Sequence, residues 1–293
     1  MQPNGESVRA LLISVHYGDL QPTLELLRCL SRMECRSELH VMIVDNKSAD
    51  GTFTTLHEAV SGLAKFELFE LTTNAGYFGA AKAGLDRFLK REGAVPDWVI
   101  VCNHDVVIED GKFFSKLFAF DPGSMGIIAP RIQTLPGKVD QNPFMLNRPG
   151  WLRCTTLRLI FSNYRVAAVW QWLAGRKRAL RSVMAARLRG LSLSRAARRG
   201  RIYAPHGAFF IFSRKYFEAG GYLDGNLFLY GEEISVGEIC RSLRLPVVYE
   251  PSLGVLHQEH ASTGRQISRF SYECQKNALQ YVTSRYLSVS GSP

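Results

Sequence analysis

No Asp or Glu occurs between Arg148 and Arg201, a stretch that holds fourteen Lys or Arg. That absence relocates the formal charge of +10. The basicity belongs to one segment, and the remainder of the chain is net acidic. Charge alone therefore does not indicate nucleic acid, and no nucleic-acid-binding motif accompanies the basic run, so no such partner is expected. Other absences narrow the field. The six cysteines (Cys29, Cys35, Cys102, Cys154, Cys240 and Cys274) show no CxxC pair or other metal spacing. They read as reduced, mostly buried thiols of a cytosolic protein. No apolar run approaches the ~18 residues needed to span a bilayer. The opening MQPNGESVRA lacks the basic end and apolar region of a signal peptide, so the expected location is the cytoplasm. With 46% apolar and 21% charged residues over 293 positions, the composition is that of one large globular domain.

The first half of the chain alternates apolar strand-like runs with helical stretches. Strands are expected at Ala10–Val15, Leu39–Val44, Phe66–Leu71 and Trp98–Cys102, with helices around Thr23–Leu30 and through Leu89. That alternation predicts an α/β fold with a doubly wound, mostly parallel sheet. Ser48 and Asp50 are candidate caps for the helix after the second strand. Further strand signals fall at Gly126–Pro130, Ala208–Phe212 and Pro246–Glu250, an apolar stretch covers Tyr222–Tyr230, and a last helix is expected from about Ser268 to Tyr286.

The candidate chemistry sits where strands end. Open α/β sheets bind ligands outside the carboxyl ends of their strands. Asp105, closing WVIVCNHD, is placed to hold a divalent cation against phosphate oxygens, since hard cations favour oxygen ligands. The alternative is a turn-forming or capping Asp. Asp45 offers acceptors to a base or ribose, or else forms an Asx turn. Asn74-Ala75-Gly76 is a polar turn at a helix start, where backbone N–H groups favour phosphate. Glu232 and Glu233 open a helix after LFLY. One is suited to be held by structure and the other to act as a general base of ordinary glutamate pKa, about 4.3. The competing reading is an acidic first helical turn favoured by the dipole. His257 and His260 follow an apolar run without the third ligand that a zinc site needs.

Taken together these segments resemble glycosyltransferase family 2, the inverting transferases of GT-A fold, and most of all its bacterial rhamnosyltransferase-like branch. The matching text is VDNKSADGT (44–52), TNAGYFGAAKAGLD (73–86), CNHDVVI (102–108), HGAFFIFSRKYFEAGGYLDGNLFLYGEEI (206–234) and HQEHASTG (257–264). The resemblance implies a Rossmann-like nucleotide-sugar-binding half over about 1–130, an acceptor and catalytic half over about 202–293, and a single GT-A-like domain over 1–293. It implies that Asp45 contacts the nucleotide base, with His16 and Tyr17 lining the same pocket and Asn74 and Gly76 beside the donor. Asp105 matches the last residue of the family's DxD motif and, with His257, would bind Mg²⁺ or Mn²⁺. Asn103 replaces the first carboxylate of that motif. Glu233 falls at the catalytic carboxylate, beside Glu232, and Lys276-Asn277 matches a basic-Asn pair facing the phosphates. The implied reaction moves a sugar, rhamnose or another hexose, from a nucleotide-diphosphate donor to a hydroxyl of a lipid-linked or cell-surface saccharide. The rival reading is a catalytically degenerate nucleotide-sugar-binding or scaffolding subunit, for which Asn103 would be an early sign. No oligomeric state is implied.

The basic segment, about 148–201, is expected to be a helical insertion. It holds Trp151, Trp170 and Trp172, and Leu157, Ile160, Phe161, Tyr164, Ala168 and Trp172 fall at helical spacing, as do Leu180, Val183, Met184 and Leu188. Basic, aromatic and amphipathic together suggest a helix lying on anionic lipid, peripheral on the inner face of the cell membrane. The alternative is a helix packed on the fold with a solvated basic face.

Overall fold

The computed structural model describes residues 9–48, 51–135, 137–189, 198–258 and 268–287, with only the backbone described at 36, 151 and 177–189. They form two compact units, Met1–Arg148 with Arg199–Phe228 and Glu232–Glu259, and Pro149–Arg198 with Leu229–Gly231 and His260–Pro293. In chain order the elements are β1 (Ala10–His16), α1 (Leu20–Leu30), β2 (Leu39–Asp45), α2 (Thr52–Val60), β3 (Phe66–Glu70), α3 (Gly76–Glu92) and β4 (Trp98–Asn103). There follow β5 (Val106–Val107), α4 (Phe113–Leu117), β6 (Ile127–Thr134), α5 (Trp151–Ile160), α6 (Tyr164–Arg189) and β7 (Gly200–Ile202). The last are β8 (Phe209–Ser213), α7 (Arg214–Glu218), α8 (Glu232–Ser242), β9 (Val247–His257) and α9 (Arg269–Arg285).

In the first unit one sheet runs β3-β2-β1-β4-β8-β6-β9-β5, with β7 also on β9. β1 is parallel to β2 and β4, β2 to β3, and β6 to β9. β8 runs antiparallel between β4 and β6, and β9 antiparallel to β5 and β7. Every residue of β1 and β2 is buried. Strands covered on both faces do not alternate, which is why they read as continuous apolar runs. On one face Leu12, Ile43 and Ile100 meet Leu26, Leu27, Leu30 and Leu56 of α1 and α2. On the other lies α3, so close that a Cβ on Gly84 would come within 2.9 Å of Val44 Cγ2 and 3.2 Å of Ile13 Cγ2. Helices on both faces of a mostly parallel sheet are the doubly wound α/β arrangement.

Two local expectations are corrected. Ser48 does not cap α2: its Oγ accepts from Gly18 N–H, and the cap position is Gly51 in the left-handed region, without a side-chain bond. Asp50 lies outside the described residues. The strand expected to end at Glu250 continues to His257, because a register shift between Pro130 and Arg131 lets β6 follow β9 past its irregular middle. The apolar stretch Tyr222–Tyr230 forms neither helix nor strand. Its chain turns at Asp224, whose Oδ1 accepts from Asn226 N–H at 3.1 Å, while Leu223 and Leu227 are buried singly.

The second unit packs α5, α6 and α9. Tyr272 stacks on Phe161, donates its hydroxyl to the Phe161 carbonyl at 2.9 Å, and meets Tyr164 edge-on. Ala167 is fully buried there, with Ile160, Tyr164 and Ala168 around it. Of the stripe expected to face lipid, Ile160, Phe161, Tyr164 and Ala168 therefore point inward, and Trp172 points out at 57% exposure. The side chains of Leu180, Val183, Met184 and Leu188 lie outside the described residues. Among the described residues no helix is long and apolar enough to cross a membrane.

The approach of α3 to the sheet yields a stability prediction. Gly84→Val should cost about 1–3 kcal/mol by overpacking, read as a lowered denaturant midpoint. Gly111→Ala, whose Cβ meets open space, should stay within about 0.5 kcal/mol.

Candidate active site

Parallel pairing sets three polar strand ends side by side. His16 of β1 lies opposite Asp45 of β2, and Val15 lies opposite Asn103 of β4. The chain leaves β1 toward β2 and β3 and then returns to its other side at β4, so this edge is a topological switch point. Asp45 is buried, and its Oδ1 accepts from Ser48 N–H at 3.0 Å, closing an Asx turn. His16 does not line a nucleotide pocket with its ring nitrogens. Nδ1 is bonded to Thr23 Oγ1 at 2.8 Å and Nε2 to Thr52 Oγ1 at 3.1 Å, so this fully buried ring ties α1 and α2 to the end of β1. Tyr17, beside it, is 56% exposed.

The turn before α3 also differs from expectation. Its N–H groups do not await a phosphate: Ala75 N–H goes to Asn46 Oδ1 (2.8 Å), Gly76 N–H to Asn74 Oδ1 (2.9 Å) and Tyr77 N–H to the Phe228 carbonyl (2.8 Å). Asn46, which the sequence reading passed over, is the organiser. Its Nδ2 donates to Asn74 Oδ1 at 2.9 Å and to the Gly76 carbonyl at 3.2 Å. Gly76 has φ +73°, and a Cβ there would collide with the backbone of Phe228. Glycine is required twice over, by the left-handed backbone and by the close approach.

Asp105 and His257 are brought together by the β5–β9 ladder, in which Val106 pairs with His257. The His257 Nε2 lies 3.2 Å from Asp105 Oδ1, an oxygen that is buried without a hydrogen bond of acceptable geometry. His257 Nδ1 is bonded to Gln141 Oε1 at 2.9 Å. An amide oxygen only accepts, so Nδ1 carries the proton and Nε2 is aimed at the carboxylate. This is the arrangement in which an outer amide orients a metal-binding imidazole. Burial raises the Asp105 pKa, but the neighbouring His257 and His104 outweigh it and hold the carboxyl below its ordinary value. Asn103, half-buried at the end of β4, donates its N–H to the Ala208 carbonyl at 3.0 Å. His104 turns to His16, ring edge to face at 5.5 Å. His260 lies outside the described residues.

Of the two carboxylates that open α8, Glu232 is buried and Glu233 keeps a partly exposed surface. Glu233 packs on the bare Cα of Gly207, where a Cβ would lie 2.8 Å from Oε1. Its pKa is not ordinary. Desolvation raises it, against the N–H groups of Glu233 and Gly207, which pull it down. Tyr77, also unforeseen, donates its hydroxyl to the Gly207 carbonyl at 3.0 Å and feels Glu232, Glu233 and Asp105 as nearby charges. His206 completes the link. It lies edge-on to His257 at 5.9 Å, and burial, with His257, lowers its pKa to about 4, so it is neutral. Asp105, His257, His206, Gly207, Tyr77 and Glu233 are thus linked by successive contacts. Lys276 belongs to the second unit, where it pairs with Glu273 at 3.7 Å and lies over the Tyr272 ring.

Among the described residues no three His, Cys, Asp or Glu converge as a closed cage. Asp105 and His257 fit a cation that takes its remaining ligands from phosphate oxygens and water, as Mg²⁺-type sites do.

A model of glycosyltransferase-like family 2 matches residues 15–272. The chain belongs to this family. No curated protein sequence matches this family 2 chain. Among solved structures it is similar to GalNAc-T7 with UDP, GalNAc and Mn²⁺ (TM-score 0.59, 13% identity, covering 98% of this chain and 50% of that one). It is also similar to the mannosyltransferase PcManGT from Pyrobaculum calidifontis with GDP-Man and Mn²⁺ (TM-score 0.52, 13% identity, 98% and 77% covered). A third is S. aureus TarS 1–349 with UDP-GlcNAc (TM-score 0.56, 13% identity, 94% and 66% covered). This family 2 chain spans half the length of the first of these. Likeness at such identities is likeness of fold, here the GT-A fold.

Behind the site, α8 is clamped by Glu238. This buried carboxylate accepts from Arg148 at 2.7 and 3.1 Å, from the Tyr203 hydroxyl at 2.8 Å and from Arg241 at 3.1 Å. Burial raises its pKa, but these donors outweigh that and leave it below the ordinary 4.5. The contribution is therefore present above that value and lost as pH falls through the lower folded one. Glu238→Ala should cost about 2–3 kcal/mol, under the usual figure for a buried pair because Arg148 can re-solvate. A chemical-denaturation midpoint unchanged at pH 7 would contradict the clamp.

Proposed function

We propose that this family 2 protein is an inverting, metal-dependent glycosyltransferase that moves a hexose from a nucleoside-diphosphate donor to a saccharide hydroxyl. The observation that carries the reading is the run of contacts that joins Asp105, facing an imidazole oriented by Gln141, to Glu233, desolvated against Gly207 at the start of α8. Environments that push two carboxylates apart assign them different tasks. The presence of Mn²⁺ and sugar nucleotides in the similar folds supports the choice of ligands.

Asp105 and His257 would hold Mg²⁺ or Mn²⁺, which, when bound, neutralises charge growing on the diphosphate leaving group. Asn103 makes that position less negative than a second carboxylate would, so more of the cation's charge stays directed at the phosphates. Asp45 and Tyr17, at the strand ends, receive the base and ribose, and Asn74 and Gly76 shape the neighbouring wall through Asn46. Glu233 takes the proton of the acceptor hydroxyl as its oxygen attacks the anomeric carbon from the face opposite the diphosphate. The new C–O bond forms as the C–O bond to diphosphate breaks, which inverts the anomeric configuration without a covalent enzyme intermediate. Glu232, buried at the helix start, fixes the position of its neighbour. Lys276 is proposed as a phosphate contact. A dTDP-rhamnose donor and a lipid-linked or cell-surface acceptor, reached from the cytoplasmic face of the membrane, are the specific substrates to assay first.

The test is transfer from a panel of nucleotide sugars followed by NMR of the product's anomeric centre. Glu233→Gln should lower kcat by about 10²–10⁴, the range for a general base, with donor KM little changed. Wild-type activity is lost as pH falls through the raised Glu233 pKa, so the acid limb should lie above 4.5. Retained anomeric configuration, or full transfer by Glu233→Gln, would overturn the assignment.

A further inference from the structure

The outward face of α6 is apolar where a soluble helix is ordinarily polar. Counting 100° per residue, Arg165, Val166, Val169, Trp172, Leu173 and Arg176 fall on one contiguous face. Val166, Val169, Trp172 and Leu173 are 51%, 58%, 57% and 53% exposed. The opposite face is already used: Ala167 is fully buried, Tyr164 meets Tyr272, and Gln171 takes Gln275 Oε1 at 2.6 Å. The helix therefore has a filled inner face and a separate apolar outer one. On α5, Leu152 and Leu159 are 72% and 69% exposed, two helical turns apart, with Arg153 and Arg158 exposed beside them. Contiguous exposed apolar surface of this kind marks an interaction site.

We propose that the outer face of α5 and α6 docks on bilayers that carry anionic headgroups. This deepens the proposed function by naming the surface that brings the enzyme to a lipid-linked acceptor, and it rests on that reading for the acceptor alone. Charge decides the occupant. The apolar stripe is flanked by arginines, and no carboxylate occurs anywhere from 148 to 201, so every ionic partner must come from outside the segment. The Arg176 guanidinium lies 4.7 Å above the Trp172 ring. That places a phosphate-binding group over an amphipathic ring suited to the headgroup level. Each basic residue near an anionic surface strengthens partitioning about fivefold. The docking face is not the stripe of Ile160, Phe161, Tyr164 and Ala168, which is spent on packing.

The test is co-sedimentation of the full chain with phosphatidylglycerol/phosphatidylcholine vesicles and with phosphatidylcholine alone. Wild type should bind the anionic vesicles at low salt, at least tenfold more strongly than the neutral ones, with a blue shift of Trp emission. Val169→Ser with Leu173→Ser, which changes no charge, should weaken binding at least tenfold. Arg165→Gln with Arg176→Gln should weaken it similarly, and Val139→Ser, an exposed apolar position in the first unit, should not. Circular dichroism must remain native in all of them. No binding to anionic vesicles overturns the proposal, as does binding indifferent to the Val169/Leu173 pair. So does self-association that this pair abolishes in the absence of lipid, which would make a second copy the occupant. Transfer to a water-soluble acceptor in the same preparations reads the catalytic assignment separately.

Discussion

Val106 and Val107 form a two-residue strand whose only ladder among the described residues is with Leu256 and His257. Residues some 150 positions apart in sequence are thereby fixed so that an Asp and a His share one buried contact. The rest of the site is arranged around that ladder. Gln141 orients the imidazole from outside, His206 lies against it, and the chain beyond His206 reaches Gly207, on which Glu233 rests. A strand of two residues has little stability of its own. It persists because β9 is anchored along β6 for most of its length and because Val106 and Ile108 are buried in the main core.

Burial acts on the two acids in opposite directions, and the difference lies in their partners. Asp105 is desolvated but faces an imidazole, so its charged form is favoured. Glu233 is desolvated with only backbone N–H groups for compensation, so its neutral form gains. The first is suited to permanent charge beside a cation, the second to receiving a proton. This is the pairing of unlike environments on which general acid–base chemistry rests. Gly207 is central to it, since any side chain there would displace the carboxylate.

The parallel half of the fold was legible because its strands are buried on both faces and carry unbroken apolar runs. The same reading failed where the signal was short or interrupted. β5 and β7 are too brief to show a period, and β9 is broken by Pro251 and Gly254 in mid-course. Asp45, Asp105, Glu232, Glu233 and His257 were visible as polar residues closing apolar segments. His16 looked the same and proved to be a buried tie between helices, because sequence does not reveal Thr23 and Thr52 waiting for its nitrogens. Asn46 and Tyr77 carried no signal of their own, since their importance comes from contacts with distant residues. In the second unit the helical period was legible, but not which face packs. Both sides of α6 are apolar, and only the packing against Tyr272 shows which is inner.

We propose that Asp105 and His257 form an open cation site completed by the donor's diphosphate. It is tested most directly by titrating Mn²⁺ and following the free-ion EPR signal, with and without a nucleoside diphosphate. With two protein ligands among the described residues, tight Mn²⁺ binding should require the diphosphate, and Asp105→Asn should abolish that dependence while leaving the fold intact. Mn²⁺ bound equally well without nucleotide, or undiminished in Asp105→Asn, would contradict the account.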